Sequence, residues 1–449
     1  MKNLRSRSFL FVFFLTLFLL AFAWLSSTPV RIQGFESIQK YEDREVLYQQ
    51  FSLLYLIVTT PLILLMVFSV VQYSIGKWLF DKIYLMYRQL PRYFFSWICP
   101  IAFIIFSALT AFRIMGATPR ILDGFNYLFQ AQNMALGQFT ANIPPVPEFF
   151  QFVFIMMQDG RWYGSVYPGF PLILALGVLI RAPWLVNPVL GGIGIHLTFR
   201  AGKAFFNTET AKLTVLLMTF SPFYRMMASI FMSHISAMIG SLVAIWMIWI
   251  WITKRNFQGI SVPFAAGTAM GYVYITRPQA GMVVIPFIIY AIVVFLKRSV
   301  KMFCSRMKNP FENQMSWHRI SVAILFLLLP MIGSFLFLSF YNLQVTGEAF
   351  VNPRYLVDPQ RSLGFGDSLG EPLPGGLRSG HSLGKGIHNI SVLLRLWNSD
   401  LLGWGSAGLL GIPIILVILC FGDREFFTLK ILLGVGMLFV LSLYLFYYT

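Results

Sequence analysis

Apolar runs recur along the chain, separated by short polar connections. Runs over 9–25, 52–73, 96–115, 184–200, 211–229, 231–252, 260–276, 279–296, 320–341, 398–419 and 428–448 each approach the ~20 residues that a helix needs to cross a bilayer core. The pattern predicts an all-α polytopic transmembrane helix bundle of about eleven spans. One further run, 169–180 (GFPLILALGVLI), is too short to cross comfortably. It is expected to lie at the interface, as one of the interfacial helices of a large first outer loop. The run at 9–25 follows a basic stretch containing Lys2, Arg5 and Arg7. It is long for a signal-peptide core and more spans follow, so it reads as an uncleaved first helix.

Positive charge then orients the bundle. Lys77, Lys82, Arg88 and Arg92 fall in one connection, and Arg200, Lys203 and Lys212 in another. Lys254 and Arg255 mark a third; Lys297, Arg298, Lys301, Arg306 and Lys308 mark a fourth. The positive-inside rule puts these and the N-terminus in the cytoplasm. If 169–180 crossed fully, the basic 200–212 loop would fall outside, so charge bias agrees with the interfacial assignment. Two long segments are thereby expected on the outer side, 116–183 and the Gly-, Pro- and Ser-rich 342–397. Residues 1–95 are expected to form two N-terminal spans and a cytoplasmic loop, ahead of a membrane core over 96–449.

Composition agrees with the pattern. Hydrophobic residues make up 57% of the 449 and charged ones 11%, against about 25% charged in a soluble chain. The net charge of +17 sits mostly in the loops that the orientation rule accounts for, so no nucleic-acid partner is expected. The three cysteines, Cys99, Cys304 and Cys420, make no CxxC or disulfide framework, and the five histidines show no HExxH pairing.

The first outer loop carries the most distinctive chemistry. It opens Arg120-Ile121-Leu122-Asp123-Gly124-Phe125-Asn126-Tyr127 and runs on through Gln130, Gln132 and Asn133, polar positions at the spacing of an amphipathic helix. Asp123 has two readings: a general base or metal-ligating carboxylate, or an N-cap for the following helix. Asp159, in Gln158-Asp159-Gly160-Arg161, is either a turn residue or a second carboxylate acting with the first. Glu148 is a third carboxylate in the same loop. On the same side fall His234 at the start of a span and Arg277 before Pro278. An Arg there can reach a phosphate as a bidentate donor, or snorkel from a helix end. The second outer loop supplies Arg354, Tyr355, Arg361, Arg378, His381, Lys385 and His388 around Leu363-Gly364-Phe365-Gly366, either a head-group site or a flexible solvated loop.

At these residues the chain resembles the GT-C superfamily of membrane glycosyltransferases, nearest its protein O-mannosyltransferase-like and lipid A aminoarabinose transferase-like clan. The resemblance rests on Asp123-Gly124-Phe125-Asn126-Tyr127, Asp159-Gly160-Arg161-Trp162-Tyr163 and Tyr167-Pro168-Gly169-Phe170-Pro171. It continues through Ala182-Pro183-Trp184-Leu185-Val186-Asn187-Pro188, Ser221-Pro222-Phe223, Ser233-His234 and Thr276-Arg277-Pro278. Such proteins move a sugar from a polyprenyl-phosphate carrier to a lipid, glycan or protein acceptor, outside the cytoplasmic membrane of a bacterium. The resemblance implies that Asp123 is the catalytic base or the acceptor-orienting carboxylate; Asp159 is the second candidate for the base. Tyr127, Arg161, Tyr167, His234, Arg277, Arg354, Tyr355 and His381 are the expected substrate-binding residues, in an inverting transfer for which the sequence does not require a divalent metal and leaves one open. Relatives often carry a Lys and a double Pro where this chain has Val166-Tyr167-Pro168-Gly169. They also continue beyond the last run, which implies a shortened member. Two other functions compete: a lipid-linked glycan flippase or transporter, expected to show internal repeats, and a surface-polysaccharide ligase or polymerase, expected to centre its chemistry on 342–397.

Overall fold

The computed structural model describes residues 82, 85, 87–253, 259–306, 314–357, 363–369, 378–390 and 426–446. The expected spans at 9–25, 52–73 and 398–419, and Arg361, lie outside the described residues. The chain divides into two compact units, and the larger, Tyr93–Ile390 with Asp423–Thr449, holds the elements that follow.

Helix α1, Cys99–Leu109, is extended at both ends by wider turns into a continuous 21-residue helix, Phe94–Ile114. After it come α2 (Leu122–Ala135), α3 (Gly169–Leu179), α4 (Val186–Phe205), α5 (Thr208–Phe220) and α6 (Pro222–Met227). Then follow α7 (His234–Thr253), α8 (Ser261–Thr276), α9 (Ile285–Arg306), α10 (Gln314–Thr346), α11 (Pro353–Val357) and α12 (Phe427–Phe446). Among the described residues, five helical segments are long and apolar enough to cross a bilayer: Phe94–Ile114, His234–Thr253, Pro278–Lys297, Ser321–Thr346 and Phe427–Phe446. The chain is therefore a helical membrane protein, and these five coincide with expected spans. Helix α10 shows why: Leu325, Leu329, Ile332 and Leu336 lie 4, 3 and 4 residues apart on one face, each more than half exposed. An apolar stripe of that kind is stable only against lipid or a partner.

Elsewhere the apolar runs divide differently. The run expected to cross over 211–229 is two helices, because Ser221 caps α6 through its hydroxyl and Pro222 cannot continue α5. Helix α8 is 16 residues long, short of a comfortable crossing. Its Gly267 and Gly271 form a GxxxG pair against α10: a Cβ on Gly267 would lie 2.0 Å from the Leu327 carbonyl oxygen. Small residues at this spacing let two backbones touch. Beside this contact, Ala244, Ile245 and Ile248 of α7 meet Ala266 and Ala269 of α8, Phe287 of α9 and Leu429 of α12 in the main apolar core.

Segment 116–183 departs most from the expectation of interfacial helices alone. It contains α2 and α3, and between them a three-stranded antiparallel sheet in the order β1-β3-β2. Its strands are β1 (Ala141–Asn142), β2 (Ile155–Gln158) and β3 (Arg161–Gly164). Asp159 and Gly160 have φ of 51° and 75°, the two-residue hairpin loop that Asp-Gly favours because its twist matches the strands. Gln158 therefore faces Arg161 across the hairpin and Ile155 faces Gly164. Helix α3 is 11 residues long, about 16 Å at helical rise, and packs on α2. The expectation that 169–180 does not cross is in keeping with that length.

Candidate functional site

Helix α2 has two opposed faces. Asn126, Gln130 and Asn133, at i, i+4 and i+7, are 0%, 0% and 6% exposed. Ile121, Leu122, Phe125 and Leu136, by contrast, are exposed. The polar face of this amphipathic helix thus points into the protein rather than to water. A buried amide must be hydrogen-bonded to be tolerated, and these amides organise the neighbouring loop. Asn126 Nδ2 donates to Ser165 Oγ at 3.3 Å, and Gln130 Nε2 donates to the Val166 carbonyl at 3.3 Å and to the Tyr341 hydroxyl of α10. Residues 165–167 are so fixed beside the start of α2.

Asp123 is in the first turn of α2, where a carboxylate is favoured by the helix dipole. It is not the N-cap: that position is Ile121, which has no side-chain cap. Its Oδ1 is buried, lacks a hydrogen-bond partner, and lies 3.9 Å from Arg354 Nη1 of α11. The Arg354 guanidinium sits over the Phe154 ring, 4.8 Å from its centroid. Phe154 has φ of 72°, an uncommon conformation for a bulky side chain.

The Tyr127 hydroxyl, one turn along α2, is 2.8 Å from Ser233 Oγ. Ser233 belongs to a turn that Asn187 of α4 pins, donating from Nδ2 to the carbonyls of Ile230 and Met232. That turn delivers His234 at the N-terminal end of α7, with its Nδ1 buried and without a hydrogen-bond partner. Arg277 ends α8, in the extended backbone that a following proline imposes.

Electrostatics join these elements into one site. The charges of Arg277, Asp123 and Arg354 all act on Tyr127, and that of Arg277 acts on His234. Burial raises the Tyr127 phenol above its usual range, with the Ser233 hydrogen bond and Arg277 opposing. The Tyr167 phenol is pushed up to about 12 by burial, with Tyr355 and Tyr274 adding and Arg354 opposing. Both phenols are therefore hydrogen-bond donors at neutral pH. Asp123, Tyr127, Tyr167, His234, Arg277, Arg354 and Tyr355 come together from α2, the 165–168 loop, the 229–234 turn, the end of α8 and α11.

Three other expected site residues lie elsewhere. Asp159 is exposed at the hairpin tip, and its turn geometry is the reading that the backbone favours. Arg161 donates to the Val345 carbonyl at 3.5 Å, tying β3 to the end of α10. His381 is buried, with Nε2 3.0 Å from the Leu445 carbonyl of α12 and its ring stacked on Phe365 at 5.5 Å. Among the described residues no group of three His, Cys, Asp or Glu side chains could hold a metal ion.

Phe154, Ser233 and Asn187 support this site without having been given a role from the sequence; Ser233 and Asn187 stood inside motifs of the resemblance, whereas Phe154 had no signal there.

Fold and site together define a polytopic helical membrane protein in which one carboxylate, one imidazole, two guanidiniums and three phenols are linked by electrostatic contacts. Comparison with protein-family models, curated proteins and solved structures finds no match to this chain.

Proposed function

We propose that the chain is a GT-C-type membrane glycosyltransferase, which moves a sugar from a polyprenyl-phosphate donor to a lipid, glycan or protein acceptor at the outer face of a bacterial cytoplasmic membrane. The observation that carries this reading is the Asp123 carboxylate. One of its oxygens is buried without a hydrogen-bond partner, and it is flanked by Arg354, Tyr127 and, through Tyr127, Arg277 and His234.

The step would run as follows. The acceptor hydroxyl oxygen attacks the anomeric carbon as the bond from that carbon to the phosphate oxygen breaks, and the electron pair leaves with the phosphate. The acceptor proton passes to Asp123, a role for which a positioned carboxylate contributes about 10²–10⁴-fold. Arg277 and Arg354 offset the charge that develops on the leaving phosphate. Tyr127 and Tyr167, kept protonated, donate hydrogen bonds to sugar or phosphate oxygens. A back-side attack of this kind inverts the anomeric centre.

The test is transfer from radiolabelled polyprenyl-phosphate sugars by purified protein, with Asp123→Asn alongside. A wild type that transfers from at least one donor and a variant reduced by about 10²-fold or more are the expected results. Full activity in Asp123→Asn removes Asp123 from the base role, and a wild type inactive on every donor defeats the reading as a whole.

A further inference from the structure

On the face of α2 turned away from Asp123 lies a cleft of about 360 Å³. Its walls are Phe125, Leu128 and Phe129 of α2 with Phe150, Phe152 and Trp162 from the sheet side. We infer that this cleft seats one hydrocarbon chain of a bilayer lipid. The inference does not depend on the proposed glycosyl transfer.

The lining argues for hydrocarbon. Its polar members are two amides, Gln132 and Gln151, and it contains no charged residue. From Gly124 to Gln158 the only charged residue is Glu148. A phosphate, an acidic peptide or a sugar phosphate would find no counter-charge here. The volume is at the low end of ligand pockets, which run from about 300 to 1,000 Å³, so it suits part of one chain rather than a whole lipid.

The location argues for the bilayer as the source. The apolar helix Phe94–Ile114, exposing Phe106, Leu109, Phe112 and Ile114, ends only a few residues before α2. Past exposed Thr118 and Arg120, the exposed side chains of Ile121 and Leu122 resume an apolar surface that runs along the chain to Phe125, a wall of the cleft. At the other wall, Phe149 is 85% exposed and Val153 55%. Trp162 adds the amphipathic ring type that is enriched at membrane interfaces, and an apolar surface of this extent implies lipid contact or a partner. The absence of charged lining favours lipid over a soluble protein, whose interfaces carry a polar rim.

The experiment reconstitutes the full chain in phosphatidylethanolamine–phosphatidylglycerol vesicles containing a phospholipid with a diazirine on its acyl chain, and maps the adducts by mass spectrometry after illumination. Label is expected on both walls, at 125–132 and 149–152, with label on the exposed face of α12 as an internal reference. Leu128→Trp, which fills the cleft, lowers wall labelling relative to α12 about tenfold, equivalent to ~1.4 kcal/mol of lost burial. Gln132→Lys, at an exposed position, charges the mouth without disturbing the core and lowers it in the same direction, so a folding defect in the first variant does not decide the result. Labelling of the walls that neither variant reduces means simple surface exposure and overturns the inference, as does an unlabelled cleft. Loss of wall label on adding polyprenyl phosphate, but not on adding phosphatidylglycerol, assigns the cleft to the tail of a lipid carrier and overturns the bilayer assignment. Loss of wall label on adding a soluble protein extract, but not lipid, overturns it in favour of a protein partner.

Discussion

Arg354 lies 3.9 Å from Asp123 while its guanidinium rests on the ring of Phe154, 4.8 Å from the centroid. The carboxylate comes from the first turn of α2 and the cation from α11, more than 200 residues later in the chain. The Phe154 ring gives the planar guanidinium a stacking surface, which an ammonium on a flexible stem does not match.

Arg354→Lys should therefore cost more than charge conservation suggests. It keeps the positive charge and loses the planar stack, worth about 0.5–1 kcal/mol at a partly exposed site. Transfer is expected to fall about two- to fivefold in Lys and further in Arg354→Ala. Steady-state kinetics against donor concentration read the difference. Equal activity in the Arg and Lys proteins would remove the stacking argument.

Phe154 tests backbone against side chain. Its φ of 72° costs about 1–3 kcal/mol for a non-glycine residue in a sparsely populated region. Phe154→Gly relieves that cost and removes the ring, whereas Phe154→Ala removes the ring and keeps the cost. Both variants are expected to lose transfer equally, with Ala the less stable in thermal unfolding in detergent. Greater stability of Ala over Gly would contradict the strain.

Helix contact at Gly267 should be intolerant of a methyl group. The added Cβ would lie 2.0 Å from the Leu327 carbonyl oxygen, so Gly267→Ala must separate α8 from α10 at a cost of about 1–3 kcal/mol. Gly281→Ala is the control, since its Cβ would meet only Val273 Cγ1 at 3.5 Å. Unfolding midpoints of the two variants should differ clearly, and matching midpoints would mean that α8 and α10 are not in backbone contact.

Tyr167 gives a pH dependence with a defined sign. Its phenol is raised from the ordinary 10 to about 12 by burial, so the folded state holds the proton that the unfolded chain releases. Stability from the buried neutral phenol is fully present below about pH 10 and is lost as pH rises toward about 12. Unfolding midpoints of the wild type should fall over this window by more than those of Tyr167→Phe. Parallel falls would mean that Tyr167 is not held neutral by its surroundings.

Much of the membrane architecture was legible in the linear pattern. Five apolar runs fall on helices able to cross a bilayer, because a helix in hydrocarbon satisfies its own backbone and needs only length and apolarity. Asp-Gly at 159–160 was legible as a turn, since φ above zero there is a local property of those residues. The break at Ser221-Pro222 had the same local signal, but hydropathy alone carried the run across it. The sheet in 116–183 was not legible: β1 has two residues and β2 and β3 four each, too short for alternation to register.

By itself, then, the sequence determined a helical membrane protein and a set of polar residues at the ends of its helices. It also named Asp123, Arg277, His234 and Arg354, but as separate points. Only the tertiary structure decided that their charges meet around Tyr127 and His234, that Asp159 turns a hairpin while Arg161 and His381 tie other elements together, and that the polar face of α2 turns inward. Those outcomes depend on contacts between residues far apart in the chain. Tyr127 with Ser233, Gln130 with Tyr341 and Asp123 with Arg354 each close a separation of more than 100 residues. Periodicity reports which face of a helix differs from the other; what covers each face is set by the packing of the rest of the molecule.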